Sequence, residues 1–265
     1  MGTYVVTGGT KGIGKEAVRF LKDAGHSVIN VDVVDGDVNA DLGTKEGRET
    51  AIKRIHEMCP DGLDGLAANA GIASAEPLSR VISVNYFGPV AIMEGLYDLL
   101  RMRSGRCVLT ASGSLAYGLR DRNRYFIDNL LVNCDDEERI GKLVDSFDPK
   151  SASNAIYIST KIALVRWMRR IAPSWAVTGV NLNAIAPGEV KTSILDGVKN
   201  MGGSPGEMKA YAMPTHMRKN RVQNPDEIAP VIDFLLQDSA VCVSGEIFYC
   251  DGGTAAALFP ESVLP

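Results

Sequence analysis

Residues 4–14 constrain this chain more than any other stretch. Tyr4-Val5-Val6 is a short β-branched and aromatic run, followed at once by Thr7-Gly-Gly-Thr-Lys-Gly-Ile-Gly14. Ile13, Ala17, Phe20, Leu21 and Ala24 then recur at helical spacing, and Gly25 stands where a helix stops. In the order strand, glycine-rich turn and helix, glycines let the backbone turn sharply and approach a pyrophosphate resting on the helix N-terminus. Gly8, Thr10, Lys11, Gly12, Ile13 and Gly14 are therefore the candidate cofactor contacts of this loop.

The following run, Ser27–Asp32, reads as a strand ending in a carboxylate 18 residues after Gly14. An acid at about this distance (roughly 20 residues) binds the adenosine ribose 2′-hydroxyl and repels a 2′-phosphate, which favours NAD over NADP. Lys11 pulls the other way, since a cation in the loop suits that phosphate. Asp32 outweighs it by acting at the distinguishing group itself, although the acidic loop 32–37 also allows a plain turn residue. Asp41-Leu42 could lie beside an adenine ring, or Asp41 could start the helix through Glu46–Met58. Leu63–Gly71 reads as a buried strand ending in Asn69-Ala70-Gly71, whose small residues let a cofactor cross the strand end.

Composition narrows the classes. The chain has 265 residues, 45% hydrophobic and 23% charged, the balance of an ordinary globular protein. A net charge of −4 gives no electrostatic reason to expect nucleic acid or an anionic membrane as partner. No run approaches the roughly 20 apolar residues of a membrane helix. No basic or long apolar leader precedes Thr3, so a cytoplasmic location is expected. The five cysteines are scattered without a C-x-x-C pair and fit free thiols.

Tyr157 and Lys161 are four residues apart in a helical pattern, which puts both on one face, one turn apart. A cation beside a phenol favours the phenolate, so the Tyr157 pKa is expected to fall toward the range useful for proton transfer.

With Thr7-Gly-x-x-x-Gly-Ile-Gly14, Asn69-Ala-Gly71 and Tyr157-x-x-x-Lys161 in this order, the chain resembles the short-chain dehydrogenases/reductases over essentially its full length. The resemblance implies that Tyr157 is the general acid/base and that Lys161 lowers its pKa and binds the nicotinamide ribose. It implies that Ser112 holds the reacting oxygen and that Asn85 holds the water of a proton relay. Ser114 is a rival hydroxyl, because the chain reads Ala111-Ser112-Gly113-Ser114 where the family often has two adjacent serines. Asn183–Gly188 with Val190 and Thr192 is similar to the family's nicotinamide-carboxamide segment, which makes Pro187, Gly188, Val190 and Thr192 cofactor contacts. The expected fold is a single α/β domain over 1–265, a Rossmann-like doubly wound, mainly parallel sheet of about seven strands.

Ser112 and Tyr157 are separated by 44 residues, a longer stretch than the family usually has. The insertion, 119–151, reads as two short helices near the substrate side, or as a surface addition that blocks or builds a subunit contact. Residues 193–220 read as an adaptable substrate lid, with Met201, Met208 and Met213 as candidate apolar contacts, or as packed helices. Asn224-Pro-Asp-Glu227 is a helix start, and Pro230 should bend the first turns of a helix running through Leu236. The three histidines do not group with other ligand types, so no metal is assigned.

The opening through Asp41-Leu42, Ser83–Gly88 and the long insertion together resemble bacterial 3α-hydroxysteroid dehydrogenase/carbonyl reductases. What this implies is an NAD-dependent dehydrogenase of a steroid or bile acid, acting at a 3α or 12α hydroxyl and working as a homodimer or homotetramer. A reductase of aromatic or xenobiotic ketones is the alternative within the class. A dinucleotide-sensing protein without turnover is the alternative outside it.

Overall fold

The computed structural model describes residues 1–116, 127–195 and 222–261. Seven strands form one sheet in the order β3-β2-β1-β4-β5-β6-β7, every adjacent pair parallel. They are β1 (Thr3–Thr7), β2 (Ser27–Asp32), β3 (Val38–Asn39), β4 (Gly65–Ala68), β5 (Arg106–Thr110), β6 (Asn181–Pro187) and β7 (Ile247–Cys250). The order runs outward in both directions from the β1–β4 pair, and the crevice for a ligand lies outside the carboxyl ends at such a reversal.

Strand alternation builds two apolar layers. Val5, Leu66, Leu109 and Ala184 point to one face, Tyr4, Val6, Ala67, Val108 and Ile185 to the other. On the first face pack α2 (Lys45–Met58), α4 (Gly88–Gly95) and the long α8 (Pro149–Val177). On the second lie α1 (Gly12–Asp23) and α9 (Ala229–Leu236), as burial of both sheet faces requires. No described helix is long and apolar enough to cross a membrane, and all five cysteines are free.

Several local expectations change. Asp41 does not cap α2. Thr44 does, accepting the Gly47 N–H at 3.0 Å. Around Asn85, α3 (Ser79–Ile82) passes into a π-helical turn at Ser83–Phe87, then α4, then α5 (Tyr97–Met102). Pro230 does more than bend its helix, because Pro225–Glu227 forms a separate 3-10 turn before α9.

Within the insertion, α6 (Ile127–Asn133) and α7 (Glu137–Asp145) are two short helices. They bury Ile127, Leu131, Ile140 and Val144 in the first layer. Asp128 of α6 pairs with Arg166 of α8. None of residues 127–151 lines the large cavity described below. Most of the stretch 193–220 lies outside the described residues, including Met201, Met208 and Met213.

Candidate active site

The strand registers bring the site together. Thr7 stands level with Val31 and Ala68, Ala68 with Leu109, and Pro187 with Cys250. The residues just beyond these ends, Gly8, Asn69, Ser112, Gly188 and Asp251, therefore meet along one edge of the sheet. They line a cavity of about 940 Å³, the upper range for a ligand pocket.

At one end is the glycine loop. Gly12 has φ +55°, a left-handed conformation that favours glycine. At Gly14 a Cβ would fall 2.1 Å from the Gly8 carbonyl oxygen, so only glycine permits this turn. Behind the loop, Thr7 Oγ1 accepts the N–H groups of Asn69 and Ala70, each at 3.1 Å. Asn69 Nδ2 donates to the Gly8 carbonyl at 3.3 Å, and its Oδ1 accepts from Thr110 Oγ1 at 3.1 Å. Loop, β4 and β5 are thus fastened by side chains that the bare glycine pattern does not reveal.

Asp32 lies at the end of β2, where its carboxylate accepts the N–H groups of Thr10 at 3.0 Å and Val33 at 2.8 Å. The acid is part of the loop's own scaffold while also lining the cavity. Asn30 assists, accepting the Gly9 N–H at 2.9 Å. Asp41 and Leu42 line the same end. The open cradle, the helix N-terminus and the Asp32 carboxylate could hold a dinucleotide: Gly8, Thr10, Lys11, Gly12 and Ile13 line the cavity there, while Gly14 does not and lies against Gly8 and Asn69.

At the other end, α8 presents Asn154, Tyr157, Ile158 and Lys161 from one face to the cavity. Tyr157 and Lys161 are buried, 8% and 5% exposed. Lys161 Nζ donates to the Thr110 carbonyl at 3.0 Å and lies 5.9 Å from the Tyr157 ring centroid. Gly71 sits between Lys161 and Asn85: a Cβ there would be 3.5 Å from Nζ and 3.3 Å from Asn85 Oδ1. Asn85 spends its amide on Ile72, accepting from its N–H and donating to its carbonyl, both at 2.9 Å. A π-helical turn at such a place is a frequent feature of functional sites.

The electrostatics correct one expectation. The sequence predicts a Tyr157 pKa lowered by the Lys161 cation, but burial raises it, and the opposing influence is the hydrogen bond with Ser112. Burial also pushes Lys161 down to about 8. Ser112 and Tyr157 both line the cavity. Ser114 lines the cavity too, but its Oγ is buried without a hydrogen-bond partner among the described residues, while its N–H donates to Ser112 Oγ at 3.2 Å.

Pro187, Gly188, Val190 and Thr192 form the facing wall. Thr192 packs over the glycine loop, its Cγ2 3.0 Å from where a Gly12 Cβ would be. Arg80, Asn154, Ile158, Glu189, Asp251 and Thr254 also line the cavity. Asn154 and Ile158 could have been found from their helical spacing to Tyr157, and Asp251 from its place after the last strand. Nothing in the sequence marks Arg80. Among the described residues, no group of three or more His, Cys, Asp or Glu could hold a metal ion.

Two family profiles match, one described as short chain dehydrogenase over residues 3–125, the other as Enoyl-(Acyl carrier protein) reductase over 149–255. The 3-alpha-hydroxysteroid dehydrogenase/carbonyl reductase of Comamonas testosteroni is 33% identical, over 98% of this chain and 99% of that protein. The 3beta-hydroxysteroid dehydrogenase 2 of Eggerthella lenta is 27% identical, over 96% and 95%. The crystal structure of the 3-alpha-hydroxysteroid dehydrogenase from Pseudomonas sp. B-0831 complexed with NADH superposes with a TM-score of 0.87, at 30% identity over 98% of this chain and 99% of that one. Together with a parallel seven-stranded sheet that sets a glycine loop opposite Tyr157 and Lys161, these likenesses mean that the chain belongs to the short-chain dehydrogenase/reductase family of oxidoreductases.

Proposed function

We propose that the chain is an NAD-dependent hydroxysteroid dehydrogenase, interconverting a 3α or 12α hydroxyl of a steroid or bile acid and the matching ketone. The observation that carries the chemistry is that Ser112, Tyr157 and Lys161 line one cavity, the last two one turn apart on α8. NAD, when bound, supplies the hydride acceptor or donor. Tyr157 exchanges the proton of the reacting hydroxyl. Ser112 holds the reacting oxygen and steadies the phenolate form of Tyr157. Lys161, anchored to Thr110, is placed to bind a ribose hydroxyl, and Asn85 backs it across Gly71. Asp32 and Lys11 make opposite demands on the adenosine ribose, and the carboxylate decides for NAD.

Support for a sizeable apolar substrate comes from Ile72, Ile158, Ile194 and Leu195 on the cavity wall, and from the two hydroxysteroid dehydrogenases that the chain resembles at 30% identity or more. The Comamonas protein's name also includes carbonyl reductase, which favours aryl or xenobiotic ketones as the second reading. A cytoplasmic homodimer or homotetramer completes the proposal, and sedimentation of the purified protein tests the assembly.

The experiment is a set of initial rates with NAD and NADP against steroids and bile acids that differ only in hydroxyl position. Preference for NAD and for one position is the expected outcome. Turnover of small aryl ketones alone would remove the steroid reading and leave the Tyr157 chemistry in place.

A further inference from the structure

Arg80 lines the cavity where Asp41 and Leu42 lie. Its Nη2 donates to both carboxylate oxygens of Asp41, each at 2.7 Å, and the Gly43 N–H donates to Oδ1 at 2.9 Å. The absent side chain of Gly43 makes room: a Cβ there would fall 2.3 Å from Arg80 Nη1 and 2.7 Å from Cζ. Burial alone would raise the Asp41 pKa. The Arg80 hydrogen bond, the Gly43 amide and the charges of Arg80 and Arg48 outweigh burial and hold the carboxyl below its ordinary value. Oδ1 then has two donors and Oδ2 one, so a lone pair on Oδ2 stays available to an amino group.

α2, which follows Asp41 in the chain, and α3, which carries Arg80, are tied together by α7. Glu137 pairs with the buried Arg48 of α2 at 2.5 Å. Asp145, at the other end of α7, accepts the Ser79 N–H at 2.7 Å, next to Arg80 at the start of α3. One helix of the insertion thus holds both sides of the Asp41–Arg80 pair.

We propose that Arg80 is a positioning residue for the adenosine half of the dinucleotide, fixing the Asp41 carboxylate in the cavity wall while α7 sets the spacing of α2 and α3. The inference rests on the proposed placement of the adenine against Asp41 and Leu42. It gives the insertion a task at the adenosine end of the site.

The test measures binding of AMP, nicotinamide mononucleotide and NADH to the wild type, Arg80→Met, Arg80→Lys and Glu137→Gln by calorimetry, alongside kcat and the KM for NAD. In Arg80→Met, AMP and NADH should bind about three- to fivefold more weakly, the range that a half-exposed charge pair supplies. The mononucleotide should bind as it does to the wild type, and the KM for NAD should rise by a larger factor than any change in kcat. Arg80→Lys should recover part of the loss, and Glu137→Gln should weaken AMP in the same direction. Unchanged AMP binding in Arg80→Met, or an equal loss for AMP and the mononucleotide, would overturn the inference. A wild type that binds neither AMP nor NADH would overturn the dinucleotide reading itself, and this inference with it.

Discussion

Lys161 Nζ donates to the Thr110 carbonyl at 3.0 Å, fastening α8 to the end of β5 through an amine that has no carboxylate partner among the described residues. Burial pushes its pKa from 10.5 down to about 8. Below about 8 the folded chain carries the full cost of a buried ammonium. Between 8 and 10.5 only the unfolded chain keeps the proton, so stability from this group rises with pH across that window and the cost vanishes above it. Lys161→Met should therefore stabilise the fold by roughly 2 kcal/mol near pH 6.5, the cost of about 3 kcal/mol for the buried ammonium less about 1 kcal/mol for the lost hydrogen bond. The gain should shrink toward about pH 10. Thermal unfolding at the two pH values checks this, and a gain that does not depend on pH would contradict it.

Ser112 and Ser114 separate by their effect on Tyr157. Burial raises the phenol and Ser112 is the group that lowers it, so Ser112→Ala should move the ionisation of Tyr157 further up. The rising limb of the alcohol-oxidation pH profile should shift to higher pH, with kcat lower by about 10²–10³. Ser114→Ala should leave that limb in place. A shift in the Ser114 variant alone would reverse the assignment.

The glycine loop, the Tyr–Lys pair and the strand that ends at Asp32 were legible because each is a local pattern with a fixed period. The seven-stranded parallel sheet follows from such patterns once they alternate along the chain. What was not legible depends on distant contacts. The π-helical turn at Ser83–Phe87 accompanies Asn85 reaching across to Ile72, which no propensity encodes. Thr44 rather than Asp41 caps α2, and Asp41 is held instead by Arg80, 39 residues away in sequence. The direction of the Tyr157 shift was missed for a similar reason: spacing places a cation near the ring, but burial is a property of the whole fold.

Asp32 should govern cofactor choice. Its two carboxylate oxygens each accept a backbone N–H group, from Thr10 and Val33, and Asp32→Asn removes the charge while keeping one of those two acceptors. Removing the repulsion while Lys11 remains should raise the ratio of NADP to NAD use by about tenfold. The additional change Lys11→Met should reverse part of that rise. Competition between the two cofactors in initial rates reads both effects, and an unchanged ratio in Asp32→Asn would show that discrimination lies elsewhere in the loop.

Asn85 tests whether the site's geometry and the fold's stability depend on the same group. It is fully buried, and both ends of its amide pair with Ile72. Asn85→Ala leaves the N–H and carbonyl of the half-buried Ile72 without their side-chain partner, at a cost of about 2 kcal/mol, or a Tm lower by roughly 4–8 °C. Gly71, next in chain before Ile72, lies between Asn85 and Lys161, so the loop that slackens is the one facing the amine. Activity should therefore fall at temperatures where the variant is still folded, and cofactor binding should weaken with it. A lower Tm with full activity would confine Asn85 to holding the π-helical turn. Lost activity with an unchanged Tm would mean that the Ile72 pairing contributes nothing to the fold and that the amide acts on the chemistry alone.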